Sequence, residues 1–358
     1  MILAGDIGGT RSRLALFEAG QPEPYAERTL PSREYDDFAT LLQAFLDDVG
    51  AGPGNEPDNG PSNGPDNGRG RVTITEAAFG VAGPVRVETG DARVQATNLP
   101  WTLSAASLSE ILGGASVQLV NDLIAVGLGA MDCQMDQRVD LNPDGMRTSG
   151  HVAVIAPGTG LGEAVFFHDG ERYHPMPSEG GHCDFAPNDE QEAELLAFLW
   201  HRFCGHVSYE RILSGDGFSL LYAFARHNQL GRAAPKADRR LEEASDPNAL
   251  ITQWAARGED ECAVLACRLF ARILGAEAGN LALKVLPMGG VYIAGAVAGY
   301  ILPFLREHTL EGFINKGRFA TMLGRIPLWV VPDGGLGLAG ARRLAEQQRI
   351  SNEDVSDG

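Results

Sequence analysis

Short apolar runs broken by glycine turns open the chain. In LAGDIGGTRSRLALF, residues 3–17, two such runs flank a Gly-Gly-Thr turn, and Arg11 and Arg13 alternate with Ser12 and Leu14. Alternation with period two marks a strand. The stretch therefore predicts a β-hairpin with a carboxylate, Asp6, just ahead of a glycine tip. HVAVIAPGTGLGEAVFF repeats the pattern: strand, glycine turn, strand. Between the two, Phe38, Leu41, Leu42, Phe45, Leu46 and Val49 recur at helical spacing. A strand is expected over 72–82, ending at Gly83-Pro84, and Ser107 with Glu110 suggests a helix start. A short buried strand over 117–120 ends at Asn121-Asp122, where an apolar helix begins. Further on, the pattern predicts an acidic-start helix over 189–203, a long helix over 260–286, strands over 291–294 (ending in Gly295) and 326–331, and a glycine-opened helix, GGLGLAGARRLAEQQ. The tail after Ile350 is polar and expected to fray.

Strands thus alternate with helices, and a glycine-tipped hairpin stands in each half. Two α/β units facing each other across a cleft would explain the duplication. The expected division is 1–132 plus 332–358 as a small α/β domain and 133–331 as a larger α+β domain. Residues 51–70 hold little but glycine, proline, asparagine and aspartate in a degenerate N-G-P-[DS]-N-G repeat. They read as a disordered surface loop, a tolerated insertion rather than a functional segment.

Composition narrows the chemistry. At 358 residues, 44% hydrophobic and 21% charged, the chain has enough apolar material for two sizeable cores. Its longest apolar stretch, GGVYIAGAVAGYILPFL, is broken by glycines and a proline and is too short to span a bilayer. No basic, apolar leader is expected at the N-terminus. A net charge of −18 repels nucleic acid and anionic membrane, so neither is expected as a partner. An anionic ligand must then be held locally, by backbone amides, helix N-termini or a metal ion. The only lysines are Lys236, Lys284 and Lys316, and none follows a glycine, which excludes a Walker A loop. None lies in the N-terminal half, which excludes Schiff-base chemistry there. Five cysteines without a C-x-x-C pair read as reduced thiols of a cytoplasmic protein. Cys183 follows His182 but has no second cysteine at ligand spacing.

Each glycine turn can curl backbone amides around a phosphate: Gly8, Gly9 and Thr10 beside Asp6, and Gly158, Thr159 and Gly160 with Gly162. Two such turns in two α/β halves point to an ATP cleft, with Asp6 holding Mg²⁺ through water. The competing reading of Asp6 is a turn-forming aspartate. In LVNDLIAVG, Asp122 stands at a strand end and opens a helix, a place for catalysis or for a helix cap. In PSEGGHCDFAP, Glu179, His182 and Asp184 surround a Gly-Gly turn, and Glu210 follows in SYERIL. Carboxylates joined by Asn121 and a histidine suit a polyol, since each carboxylate accepts from two neighbouring hydroxyls while the amide and the ring donate. A metal site made of the same residues lacks the i, i+4 spacing of a His/Glu pair.

In this order, DIGGT, VNDL, the PGTGLG turn, EGGHCDFAP, HVSYERILSG and AGNLAL…GGVYIAG resemble the bacterial glucokinase family, ATP-dependent hexokinase-like enzymes with the two-domain, actin-type ATPase (ribonuclease H-like) α/β fold and an interdomain cleft. The resemblance covers nearly the whole chain outside 51–70. It implies that Asp122 takes the proton from the sugar 6-hydroxyl, and that Asn121, Glu179, His182 and Glu210 bind glucose. It implies phosphate contacts at Thr10 and at the 158–162 turn, Mg²⁺ near Asp6, and an adenosine segment at Gly295, where Ala296 replaces the family's second glycine. ATP and Mg²⁺ as cofactors, a homodimer and a cytoplasmic location are implied as well. Related repressor and kinase families carry a cysteine-rich zinc motif after the histidine; the isolated Cys204 argues against a zinc-containing member. The same-class alternative is a kinase for mannose or an N-acetyl amino sugar. A catalytically silent sugar or nucleotide sensor is the alternative of another class, and an acyl-phosphate kinase is disfavoured because acidic side chains repel a carboxylate substrate.

Overall fold

A computed structural model of the chain describes residues 1–51 and 72–356, so the loop expected over 51–70 lies, apart from Ala51, outside the described residues. The chain forms two compact units, Met1–Asp132 with Gly335–Gly358, and Cys133–Gly334.

The first unit contains β1 (Ile2–Ile7), β2 (Arg11–Phe17), β3 (Ala26–Pro31), α1 (Phe38–Val49), β4 (Glu76–Val81), β5 (Val85–Glu88), β6 (Asp91–Gln95), β7 (Thr102–Ser104), α2 (Ala105–Ile111), β8 (Ser116–Asn121) and α3 (Asp122–Asp132). Its main sheet has the order β3-β2-β1-β4-β8, with β1, β4 and β8 parallel. In register, Ile7 stands beside Val81 and Val81 beside Asn121. The carboxyl ends of three parallel strands are therefore level, which brings Asp6, Asn121 and Asp122 to one end of the sheet. All six residues of β4 are buried. Phe79 on this strand meets Phe38 edge to face at 5.2 Å, and Trp101 packs against the same Phe38. Truncating such a ring, as in Phe79→Ala, costs about 3–5 kcal/mol.

Asp37 caps α1 by accepting from Thr40 N at 2.8 Å, and the helix ends on Gly50 at φ 68°. The second helix starts earlier than Ser107 suggests. Ser104 is extended and its hydroxyl accepts from Ser107 N at 3.1 Å, so Ser107 supplies the capped amide rather than the cap. The C-terminal helix, Leu336–Ser356, continues past Ile350, where fraying was expected. It crosses α3 at very close range. A β-carbon on Gly129 would overlap the carbonyl of Leu336, and one on Gly340 the carbonyl of Ala125.

The second unit contains β9 (Val139–Asp140), β10 (Val152–Pro157), β11 (Leu161–His168), β12 (Tyr173–Ser178), α4 (Glu190–Phe203), α5 (Tyr209–Ile212), α6 (Gly217–His227), α7 (Ala237–Glu242), α8 (Pro247–Arg257), α9 (Glu261–Val285), β13 (Gly290–Ala294), α10 (Ala296–Tyr300), α11 (Leu302–Ile314), α12 (Ala320–Leu323) and β14 (Leu328–Val331). Its sheet has the order β12-β11-β10-β13-β14-β9, with β10, β13 and β14 parallel. The plan of the first unit is thus repeated: an antiparallel three-strand run whose first strand continues into a parallel ladder. The core is centred on α9, capped by Asp260, which accepts from Ala263 N at 2.9 Å. Phe270 stacks on Phe218 with ring centroids 4.4 Å apart. Of the charged residues along this helix, Glu277 is the one that is fully buried. No helix among the described residues is long and apolar enough to cross a membrane.

Candidate active site

At the tip of the first hairpin, Gly8 N donates to Arg11 O at 3.1 Å, and Ser32 ties the tip down. Ser32 Oγ donates to Gly8 O at 2.7 Å, and Ser32 N donates to Thr10 O at 3.0 Å. Gly9 has no room for a side chain, since a β-carbon would stand 2.6 Å from Asn98 Cβ. Asp6 lies within β1, opposite Arg13, and not in the turn, so the turn-forming reading does not hold. The start of the C-terminal helix presses on its carboxylate: a β-carbon on Gly337 would be 2.7 Å from Asp6 Cγ. Burial foremost, and then the negative field of Asp122, push the Asp6 carboxyl from 3.8 up to about 6, with Arg13 opposing. Arg13 is itself engaged by Glu27, Nε to Oε1 at 2.6 Å.

Asp122 is the first residue of α3, and its Oδ1 accepts from Leu123 N at 2.9 Å. Asn121 Oδ1 accepts from the same amide at 3.0 Å, and Asn121 Nδ2 donates to Gly83 O at 3.2 Å. Asn121 is thus largely spent on holding the strand-to-helix switch, with one amide hydrogen left for a ligand. Gly80 on β4 allows this approach, since a β-carbon there would be 2.9 Å from Ala125 Cβ and 3.5 Å from Asp122 Cα. The Asp6 carboxylate at this strand end fits a Mg²⁺ site held through water. Among the described residues no group of three or more His, Cys, Asp or Glu forms a metal cage, and Mg²⁺ commonly takes one or two carboxylates, with water and phosphate completing its shell.

In the second unit the tip is closed by Gly158 N donating to Gly160 O at 2.8 Å and braced by Gly215 N donating to Gly158 O at 2.8 Å. Glu210 backs it: Leu161 N donates to Glu210 Oε2 at 3.1 Å, and a β-carbon on Gly160 would overlap that oxygen. Gly158, by contrast, faces open space. Glu179 opens the next turn. His182 N donates to Glu179 O at 3.0 Å, Gly180 N to Ser178 Oγ at 2.9 Å and Cys183 N to Gly180 O at 2.9 Å. Gly181 packs on the carbonyl of Leu161. His182 Nδ1 stands 3.7 Å from Glu210 Oε1, so His182, Glu210 and the glycine tip form one cluster, with Glu179 exposed at its edge. Asp184 stands apart from it, paired with His206 Nε2 at 2.9 Å.

Two further features escaped the sequence pattern. Beneath the 179–182 turn lie two buried carboxyls, Glu163 of β11 and Glu277 of α9, close enough for each to feel the other's charge. Burial and the neighbouring Glu277 push Glu163 up to about 8, and burial raises Glu277 as well. Asn280 Nδ2 donates to Glu277 Oε2 at 2.8 Å and to Tyr209 Oη at 3.0 Å. Beside the glycine tip is a cavity of about 320 Å³, lined by Gly158, Thr159, Asp216, Asn248, Val297 and Tyr300 among others. Asn248 is fixed there by accepting from Ser219 Oγ at 2.6 Å and donating to Asp216 Oδ1 at 3.3 Å. Gly295 precedes the cavity's α10 wall at φ 99°, a conformation that suits glycine. Ala296 is exposed, and the wall is made by Val297 and Tyr300 instead. The first unit thus carries a strand-end carboxylate beside a glycine tip, and the second a His182–Glu210 cluster beside another.

A family model described as Glucokinase matches residues 3–348. The chain is 35% identical over 365 residues to a glucokinase of Synechocystis sp., covering 96% of this chain and 98% of the relative. It is similar to the crystal structure of a glucokinase from an Antarctic psychrotroph, with a TM-score of 0.76 at 27% identity over 97% of this chain and 98% of that one. A ROK family glucokinase from Streptomyces griseus in complex with glucose and AMPPNP shares the fold, with a TM-score of 0.61 at 20% identity over 97% of this chain and 99% of that one.

Proposed function

From the premise that the chain belongs to the glucokinase family and has the actin-like ATPase fold, we propose roles for its own residues in the reaction. The protein is an enzyme, a glucokinase, that phosphorylates D-glucose with ATP. Glucose 6-phosphate and ADP are the products. Asp122 is the general base that takes the proton from the 6-hydroxyl as the oxygen attacks the terminal phosphoryl. Its Oδ1 is oriented by Leu123 N–H, and its backbone is fixed by the Asn121 cap. Glu179 and Glu210 each accept from neighbouring sugar hydroxyls, His182 serves the same ring, and Asn121 offers its remaining amide hydrogen.

The amides at Gly8, Gly9 and Thr10 and at Gly158, Thr159 and Gly160 receive the phosphates. The 320 Å³ cavity takes the nucleoside, with Asp216 and Asn248 as its polar side and Val297 and Tyr300 as its apolar side. Mg²⁺ held by Asp6 would neutralise phosphate charge. Phosphoryl transfer passes through a loose transition state, so most of the acceleration comes from this positioning and charge stabilisation. The observation that carries the reading is the meeting of Asp6 and Asp122 at the carboxyl ends of the parallel strands β1, β4 and β8, close enough for Asp122 to act on the charge of Asp6. Five free thiols accord with a cytoplasmic location. A homodimer is the assembly proposed, and equilibrium sedimentation tests it. The function is tested by ADP release with ATP and Mg²⁺ over glucose, mannose and N-acetylglucosamine. Glucose should give the highest kcat/KM; sugar binding without ADP release would replace the enzyme reading with a sensor.

A further inference from the structure

We propose that Glu163 and Glu277 share a single proton in one hydrogen bond, and that the pair so formed is a positioning device for the glucose-binding turn. The proposal rests on reading Glu179, His182 and Glu210 as the sugar site. Both side chains are buried, Glu163 at 1% exposure and Glu277 at 0%. Each has one buried oxygen that no donor among the described residues reaches, Glu163 Oε1 and Glu277 Oε1. Two carboxylates in contact offer four acceptors and no donor, which is an unstable arrangement in a dry interior. One proton turns the pair into a donor and an acceptor, and leaves a single negative charge.

The surroundings suit one charge and not two. From α9 itself, Lys284 Nζ comes within 3.9 Å of Glu277 Oε1, but its side chain is 55% exposed. Lys316, just past α11, feels Glu277 and Glu192, and its own burial lowers it and weakens its ammonium form. Glu192 on α4 is already held by Arg272, Nε to Oε1 at 3.0 Å. From α5, Tyr209 is held in its neutral form by burial and by Glu277. The uncharged groups facing Glu277 are Asn280, whose Nδ2 donates to it at 2.8 Å, and the Tyr209 hydroxyl.

The pair touches the sugar cluster from two sides. Glu163 Oε2 lies so close under Gly180 that a β-carbon there would overlap it, and Glu163 stands opposite Ser178 in the β11–β12 ladder, one residue before Glu179. Tyr209, bound to the same network, immediately precedes Glu210. Loss of the shared proton would put two repelling charges directly under the turn. Glucose binding should then weaken while the phosphoryl-transfer step, which runs through Asp122, changes less.

The test is the pH dependence of kcat and of the glucose KM for the full-length enzyme and for Glu163→Gln, whose amide keeps a donor at every pH. Wild-type KM should rise above about pH 8, approaching tenfold per pH unit once the proton is lost, with kcat nearly level. Glu163→Gln should remove that rise, and the infrared band of a buried protonated carboxyl seen in wild type should vanish with it. Glu277→Gln gives the same two readouts should the first variant fold poorly. Equal alkaline KM profiles in wild type and variant, or no carboxyl band lost, would overturn the proposal. If wild type released no ADP with glucose at any pH, the site reading would fall and the positioning role with it, while the infrared band would still decide whether the proton is shared.

Discussion

In the first unit, the tip Gly8-Gly9-Thr10 follows a strand that carries Asp6 two residues before its first glycine. In the second, the tip Gly158-Thr159-Gly160 follows a strand that carries Ala156 at the matching place. Both tips close by an amide of the first glycine donating across the turn, at 3.1 Å to Arg11 O in one and 2.8 Å to Gly160 O in the other. The plan is shared, but the first turn is one residue longer, Ile7 pairing with Ser12 where Pro157 pairs with Leu161, and what stands behind each turn differs as well. Asn98 lies behind Gly9 and Glu210 behind Gly160. The first hairpin brings a carboxylate to a parallel sheet end beside Asp122, while the second is backed by a carboxylate from another element. A duplicated plan thus supplies two glycine turns, and on the proposed roles the side chains packed around each would decide whether it serves cation and base or sugar.

The largest expected effect separates these two jobs. Asp122→Asn keeps the size of the side chain and an oxygen for Leu123 N–H, but removes the base. We expect kcat to fall by about 10²–10⁴, with glucose affinity by calorimetry within about threefold of wild type, because the residues assigned to the sugar's carboxylate contacts lie in the other unit. A near-normal kcat would take Asp122 out of the mechanism and leave the first unit with phosphate and metal roles and the Asn121 contact to the sugar.

How far the sequence reveals this division depends on how local each signal is. Both hairpins were legible, because strand alternation and glycine tips are read within fifteen or so residues. Asp122 was legible for the same reason: strand, Asn-Asp and apolar helix are contiguous. The start of α2 was misplaced by one turn because Ser104 and Ser107 both suit a cap, and only the extended backbone of Ser104 decides between them. Glu163 gave no signal at all. Between Gly162 and Ala164 it reads as the solvent face of a strand, and it is buried because α9, far along the chain, brings Glu277 onto it. The nucleoside-sized cavity was equally hidden, since Asp216, Asn248 and Tyr300 come from separate segments with no shared motif.

A second way to sharpen the comparison is to put a methyl on the tip that has no room. In Gly160→Ala the new carbon runs into Glu210 Oε2. Relief requires Glu210 to leave Leu161 N and to shift away from His182. A stability loss of about 1–3 kcal/mol is expected from the overlap, read as a lower urea midpoint. The glucose KM should rise about tenfold, the size of effect that losing a charge-assisted hydrogen bond carries. An unchanged glucose KM would mean that Glu210 does not hold the sugar.

The third concerns charge in the first unit. The folded protein holds Asp6 at about 6 against an ordinary 3.8, so over that window the native state binds more protons than the unfolded chain. Stability contributed by protonated Asp6 is present below about pH 3.8 and is lost as the pH rises through about 6. Asp6→Asn should therefore gain stability relative to wild type as pH is raised from about 4 to about 7, measured as the difference in urea midpoints. Mg²⁺ acts in the opposite sense, since it needs the ionised carboxylate. Half-saturating Mg²⁺ in the ADP-release assay should climb as pH falls below about 6, and Asp6→Asn should raise it at every pH. A difference in midpoints that does not vary with pH would show that Asp6 has an ordinary carboxyl.

The smallest effect on the fold is expected at the tip glycine with an open side. Nothing stands within 4 Å of a β-carbon placed on Gly158, and its φ lies outside the left-handed region, so Gly158→Ala should leave the urea midpoint within about 0.5 kcal/mol of wild type. The same methyl would project at the lip of the 320 Å³ cavity, where Gly158 and Thr159 form part of the wall. If phosphate approaches the backbone there, the methyl blocks it, and the ATP KM should rise several-fold while the glucose KM stays put. Paired with Gly160→Ala, this gives two single-methyl changes two residues apart with opposite signatures: one moves the sugar constant and the fold, the other the nucleotide constant alone. Should Gly158→Ala leave both constants unchanged, the second tip is a turn by geometry only, and the phosphate role belongs to Gly8-Gly9-Thr10 in the first unit.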